Sequence, residues 1–158
     1  EQSGDQYAWG ETETKSEYTL DNYKYYDGSK YIVLGQDDSA DIANTEYDVA
    51  HVKWGGDWMM PNEIQWNELM SECNWTWETE NGVPGYRVTS KINGKSIFLA
   101  APFDDQGTYW SSIMYFLDGA FKDNSAYFVD VSQSIVPTFC QYYYRYHGRM
   151  VRPIKIIR

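Results

Sequence analysis

The chain has 158 residues, a formal net charge of −10 and an 18% aromatic content that includes fifteen Tyr and seven Trp. That length suits one domain, at roughly 100–200 residues each, and a domain of this size closes a core without disulfide or metal staples. The negative charge repels polyanions, and no Lys/Arg run exceeds two residues, so nucleic acid is not an expected partner.

Large flat side chains suit pleated sheets and contact surfaces alike, because they give area at little entropic cost. Gly and Asn clusters throughout point to short turns, so a β-rich domain with few helices is the default. No apolar run approaches the ~18–20 residues of a membrane span. Glu1 in place of an initiating Met reads as a processed or trimmed start. The cysteines, Cys73 and Cys140, suit either one disulfide in an exported protein or two separate buried thiols.

Residues 1–31 read as loops and short extended pieces whose aromatics, among them Tyr7, Trp9, Tyr18, Tyr23, Tyr25 and Tyr26, pack onto the domain as a surface wrap. Residues 32–34 suggest a short buried strand closed by Gly35. A first helix is expected over 45–53, with Thr45 and Asp48 as a capping box and Gly55-Gly56 as its stop. His51 then sits on that helix in an exposed or capping role. The second helix has stronger signals. Asn62 after Pro61 is a good N-cap, and Trp66, Leu69, Met70 and Cys73 fall on one stripe.

Large and polar residues alternate over 75–79, and Asn81-Gly82 makes a turn. Strands over 86–91 and 95–99 flank Asn93-Gly94, a hairpin signal in which both central residues reach positive φ. Further strands are expected over 109–112, 127–131, 141–146 and 151–157, with Pro137 and Pro153 at edges or bends.

Five phrases in this order carry a family resemblance: YAWGETETKSEYTLDNYKYY at 7–26, VKWGGDWMMPNEIQWNELMSECNWTW at 52–77, NGVPGYRVTSKINGKSIFLAA at 81–101, YWSS at 109–112 and RYHGRMVRPI at 145–154. Together they resemble the Fibrobacter succinogenes major paralogous domain, abundant among exported proteins of gut Bacteroidales. The resemblance implies one α+β, C-type-lectin-like domain over residues 1–158. Such a domain has two helices, a small twisted, mainly antiparallel sheet and long loops held by tryptophans. It also implies a secreted or cell-surface location, commonly as an outer-membrane lipoprotein. Relatives of that fold include formylglycine-generating enzymes and receptor-binding tips diversified by retroelements, whose C-terminal zone forms the ligand surface. The family's first strand has no counterpart before Glu1, Met59 stands where a basic residue is usual, and Phe103-Asp104-Asp105 replaces a Gly-rich turn.

Chemistry-bearing constellations are few. The tract from Phe139 to Met150 holds Tyr142, Tyr143, Tyr144, Tyr146 and His147, amphipathic anchors of the type enriched in binding hot spots. In a period-two strand, Tyr142, Tyr144 and Tyr146 face one way, while Tyr143, Arg145 and His147 face the other. Among Trp54, Trp58, Trp66, Trp75, Trp77 and Trp110, which suit sugar stacking, core packing is the default. Trp110, beside Ser111 and Ser112, is the one expected near a loop surface. Arg152 is assigned a structural role near Pro153.

Asp37-Asp38 and Asp104-Asp105 fall short of the six to eight oxygen ligands that Ca²⁺ takes and follow no EF-hand spacing, so no metal is expected; Ca²⁺ is the one cation these acids would suit. His51 and His147 are the only imidazoles, and no nucleophile-elbow, zinc-protease or P-loop pattern occurs. A Cys140–His147 pair lacks neighbours that would activate the thiol. The expectation is therefore a non-enzymatic binding module for a glycan or protein ligand, using Tyr142, Tyr143, Tyr144, Tyr146, His147 and Trp110, with no cofactor. The alternatives are an extracytoplasmic enzyme acting on polysaccharide through a carboxylate pair and a structural domain of a larger surface protein.

Overall fold

Tight turns with left-handed backbone set the strand pairing. Asn81 and Gly82 lie at φ 50° and 79°, and Asp118 and Gly119 at 53° and 76°. These residue types tolerate that region, and paired left-handed residues match the twist of a two-residue hairpin. The computed structural model describes residues 4–35, 40–133 and 135–156. It is α+β: helices α1 (Val49–Trp54) and α2 (Glu63–Glu72) with strands β1 (Trp58–Met59), β2 (Cys73–Glu80), β3 (Val83–Ser90), β4 (Ser96–Ala100), β5 (Gln106–Leu117), β6 (Ala120–Ser132), β7 (Ile135–Tyr144) and β8 (Ile154–Lys155). Antiparallel sheets run in the orders β2-β3-β4 and β5-β6-β7, and β1 pairs with β8.

The β3–β4 connection differs from the expected two-residue turn. It is a wider loop in which Gly94 has positive φ and Asn93 does not. Local side-chain bonds favour the wider form: Ser90 Oγ accepts from the Ile92 and Asn93 amides, and Asn93 Oδ1 accepts from the Lys95 amide. Gly85 in β3 sits opposite Ala100, where a Cβ would lie 2.3 Å from the Leu99 carbonyl oxygen and 2.7 Å from Phe98 Cζ. Gly85→Ala is expected to destabilise the fold by about 1–3 kcal/mol through overpacking, read as a lower urea midpoint at unchanged m.

Helix α1 starts later than the expected 45–53. Thr45 Oγ1 instead donates to the Ile42 carbonyl at 2.7 Å and closes a separate turn, and Asp48 becomes the N-cap. In α2 the expectation holds. Asn62 caps it and Gln65 completes the capping box, with reciprocal bonds of 3.0 and 2.8 Å. Trp66 is buried, and Leu69, Met70 and Cys73 pack against the same core, although Cys73 is already the C-cap and opens β2.

The β5-β6-β7 sheet separates two cores. On one face Trp110, Met114 and Phe128 join Tyr7, Trp9, Ile42, Val49 and Met60. On the other, Tyr109, Val129 and Val131 join Trp66, Tyr86, Val88, Leu99 and Met150. Period-two alternation along β5 and β6 therefore delivers side chains to both cores. The N-terminal segment is part of this interior rather than a surface wrap. Tyr7 and Arg149 exchange backbone bonds of 2.8 and 3.0 Å, the Trp9 amide donates to the Arg145 carbonyl, and the buried Trp9 indole donates to the Ser111 carbonyl.

Two other expected strands change. Residues 32–34 form none. Leu34 alone is buried, and Val33 is 67% exposed. Of the described residues 151–156, only Ile154–Lys155 pairs as a strand, and Pro153 has no N–H to extend the ladder towards the N-terminus. Pro137 lies on the edge strand β7 at a register shift between the Asp130–Thr138 and Ser132–Ile135 pairs, as a strand proline requires.

Candidate functional site

The tyrosine tract occupies the end of β7 and the turn after it. Tyr142, Tyr143 and Tyr144 are 49%, 48% and 41% exposed, while Tyr146 and His147 are half-buried. Strand alternation stops at Tyr144, where the His147 amide turns back to the Tyr144 carbonyl at 3.3 Å. That turn lets rings from the two expected faces meet. Tyr144 and Tyr146 lie nearly parallel at 5.7 Å, Tyr143 meets His147 at 4.8 Å and Tyr144 at 5.0 Å, and Tyr146 meets His147 at 4.6 Å.

Tyr142 extends the surface towards β5 by stacking on Tyr115 at 3.7 Å. Hydrogen bonding to Tyr142 and then burial push the Tyr115 phenol up to about 12. Burial and the nearby Arg149 charge hold His147 below its ordinary value of 6.5, so its ring is uncharged at neutral pH. The result is an exposed strip of aromatic rings with hydroxyl and imidazole edges, in which Tyr143, Tyr144, Tyr146 and His147 touch and Tyr142 lies against Tyr115.

Two arginines lie within and just after the strip, and their packing roles were not expected from the sequence; of the two, Arg149 is the one near a strip ring. Arg145 is fully buried. Its guanidinium lies 4.9–5.6 Å from the Trp9, Tyr23 and Tyr31 rings and donates to Tyr23 Oη and to the Ile32 and Asp123 carbonyls. Arg149 lies 3.5 Å from the Phe128 ring centroid, 4.9 Å from Trp110 and 6.0 Å from Tyr143. Burial lowers its pKa to about 10, against the pull of the Asp130 carboxylate, and it remains charged at neutral pH. The one sequence signal for these cations was their interleaving with aromatics in RYHGR.

Trp110 does not join the strip. It is fully buried beneath Arg149, and its Nε1 donates to the Tyr7 carbonyl at 2.7 Å. The expectation of a loop position fails because β5 is covered on both faces, so its two alternating rows are both interior. Trp54, at the end of α1, is instead the exposed indole, at 46%; Trp66 is buried, and Trp58, Trp75 and Trp77 are half-buried. Arg152 borders a cleft beside Pro153.

The acidic pair Asp104-Asp105 forms a tight turn, at φ 52° and 60°, between the bridged residues Phe103 and Gln106. Asp37-Asp38 lies outside the described residues. Among the described residues, no group of three or more His, Cys, Asp or Glu side chains converges on one point. Cys73 is a free thiol whose pKa is raised by burial. The Cys140 side chain, and with it the Cys140–His147 pair, lies outside what is described. No helix among the described residues is long and apolar enough to cross a membrane.

The fold and the strip define an α+β domain with an exposed aromatic surface at the end of an edge strand. Comparison of the chain with protein-family models, curated proteins and solved structures finds no match.

Proposed function

We propose that this chain is a non-enzymatic binding module, exported or displayed at the cell surface, that holds a glycan or protein ligand on Tyr142, Tyr143, Tyr144, Tyr146 and His147. The reading takes the domain as C-type-lectin-like and as a relative of the Fibrobacter succinogenes major paralogous domain. Its supports are the ordered sequence phrases, the two short helices with small antiparallel sheets, and the pairing of the N-terminal segment with residues near the C-terminus.

One observation carries the functional part: three consecutive tyrosines are each about half exposed, and Tyr143, Tyr144, Tyr146 and His147 join in one run of ring contacts while Tyr142 stacks on Tyr115. Tyrosines give large rigid contact area with hydroxyls at the rim, and little side-chain entropy is lost when they bind. Contact area spread over several exposed rings favours a protein face or an extended glycan chain over a small metabolite.

The test is a glycan array and an array of extracellular proteins, both probed with the purified chain with and without Ca²⁺. A Tyr142→Ala/Tyr144→Ala variant should weaken the strongest hit about 30-fold or more, the loss expected for truncating hot-spot aromatics. Both side chains are substantially exposed, so circular dichroism should report an intact fold. Unchanged binding to every hit would reject the assignment.

A further inference from the structure

A concavity lies away from the tyrosine strip. It is a cleft of about 460 Å³ bordered by the N-terminal segment, the β2–β4 sheet and the chain leading into β8. That volume is typical of sites for small ligands, at roughly 300–1,000 Å³. Its lining includes Trp54, Phe98, Arg87, Glu80, Asn81 and Asp5.

Three features mark it as more than a packing gap. Trp54 places a half-exposed indole at the cleft, although burial would be the ordinary fate of such a ring. Arg87 is held in one orientation by Glu78 at 2.9 Å and by Glu80, with its guanidinium 5.5 Å from the Phe98 ring. A planar polar group is thereby fixed beside an aromatic wall before any ligand arrives. Asn81, at the left-handed hairpin turn between β2 and β3, adds a carboxamide to the lining.

The chemistry of the lining selects the ligand class. A wholly apolar ligand would strip water from the Arg87–Glu80 ion pair and from Asn81 and offer no hydrogen bond in return, a cost of the type that buried polar groups impose. An anion would meet Asp5, Glu80 and a molecule of net charge −10, and a cation would meet Arg87 and Arg152. Sugar rings satisfy the set. Their hydroxyls both donate and accept, matching guanidinium, carboxylate and carboxamide, while their C–H faces lie against indole and phenyl rings. We infer that the cleft between Trp54, Phe98 and Arg87 is a binding site for a neutral oligosaccharide, separate from the tyrosine strip and independent of it.

The experiment is isothermal titration of the intact chain with four neutral hexasaccharides: cello-, xylo-, manno- and N-acetylchito-oligosaccharide. At least one is expected to bind saturably. Trp54→Ala and Arg87→Gln should each raise its Kd about tenfold or more. The Tyr142→Ala/Tyr144→Ala variant should leave that Kd within about twofold, since the two sites share no residue. Trp54 is exposed, so its truncation leaves the fold measurable if Arg87→Gln does not. The inference is overturned if none of the four gives saturable heat up to about 10 mM, if Trp54→Ala leaves the Kd unchanged, or if only the tyrosine variant loses binding. The last result would place the sugar on the strip and leave the proposed function standing.

Discussion

Arg145→Ala is expected to destabilise the fold by about 3–5 kcal/mol, the range for a buried large-to-small change that also orphans polar groups. The substitution removes donors to Tyr23 Oη at 3.0 Å, to the Ile32 carbonyl at 3.0 Å and to the Asp123 carbonyl at 2.7 Å. It also empties the space between Trp9, Tyr23 and Tyr31, whose ring faces are the main compensation for the buried charge. Arg145 makes no ion pair with a described carboxylate. Its stability rests on carbonyl dipoles and π-faces, and these need the planar, forked donor geometry. Arg145→Lys should therefore recover little, because a single ammonium cannot reach three acceptors set around a plane. At about 2–4 °C per kcal/mol, the alanine variant should melt roughly 6–20 °C lower. A loss below about 1 kcal/mol in urea would show that the cage is not what holds segments 9, 23 and 31 against the turn after β7. Because Tyr144 and Tyr146 flank this arginine, the same variant should loosen the strip, and ligand affinity should fall with stability.

Asp48→Ala is expected to cost about 4 kcal/mol or more, beyond the ~1 kcal/mol of an ordinary N-cap. The carboxylate is fully buried and accepts from four backbone amides: Asn44 at 3.0 Å, Ala50 at 2.9 Å, His51 at 3.2 Å and Met60 at 3.0 Å. Burial pushes its pKa up, and these four donors pull it part of the way back. Truncation strands all four N–H groups in the interior, each at about 1–3 kcal/mol if no water replaces the acceptor. Asp48→Asn keeps one acceptor oxygen but turns an NH₂ towards the donors, so it should fall between parent and alanine. Hydrogen exchange at the Ala50 and Met60 amides would locate the damage. Both should lose protection in Asp48→Ala ahead of amides in β2–β4. Equal loss everywhere would mean that Asp48 does not join α1 to the segment entering α2.

Local signals were readable where one short segment carries its own partners. Asn62 and Gln65 satisfy each other across one helical turn, so the start of α2 needs nothing from the rest of the chain. Asn81-Gly82 likewise contains its own left-handed solution. Asp118-Gly119 held the same signal between β5 and β6, and the strand boundaries expected from the sequence did not use it. Thr45 misled because its hydroxyl bonds back to Ile42, an option as local as a capping box and invisible to spacing alone. Of the proposed ligand residues, Tyr143, Tyr144, Tyr146 and His147 come together and Tyr142 stacks on Tyr115, whereas Trp110 lies in the interior. An indole beside two serines says nothing about how many layers cover its strand.

By itself, the sequence determined the α+β character, the second helix with its cap and stripe, most strand positions and the aromatic richness of the tract before Met150. Those features follow from periodicity and turn chemistry, which act over a few residues. Tertiary structure alone decided which rings are buried and which are offered. Trp9 and Trp110 enter the core through bonds spanning about a hundred residues, to Ser111 and Tyr7 respectively. Arg145 becomes a buried cation only because segments 9, 23 and 31 converge on it. Burial is a property of what the rest of the chain brings to a face, and no local pattern carries that information.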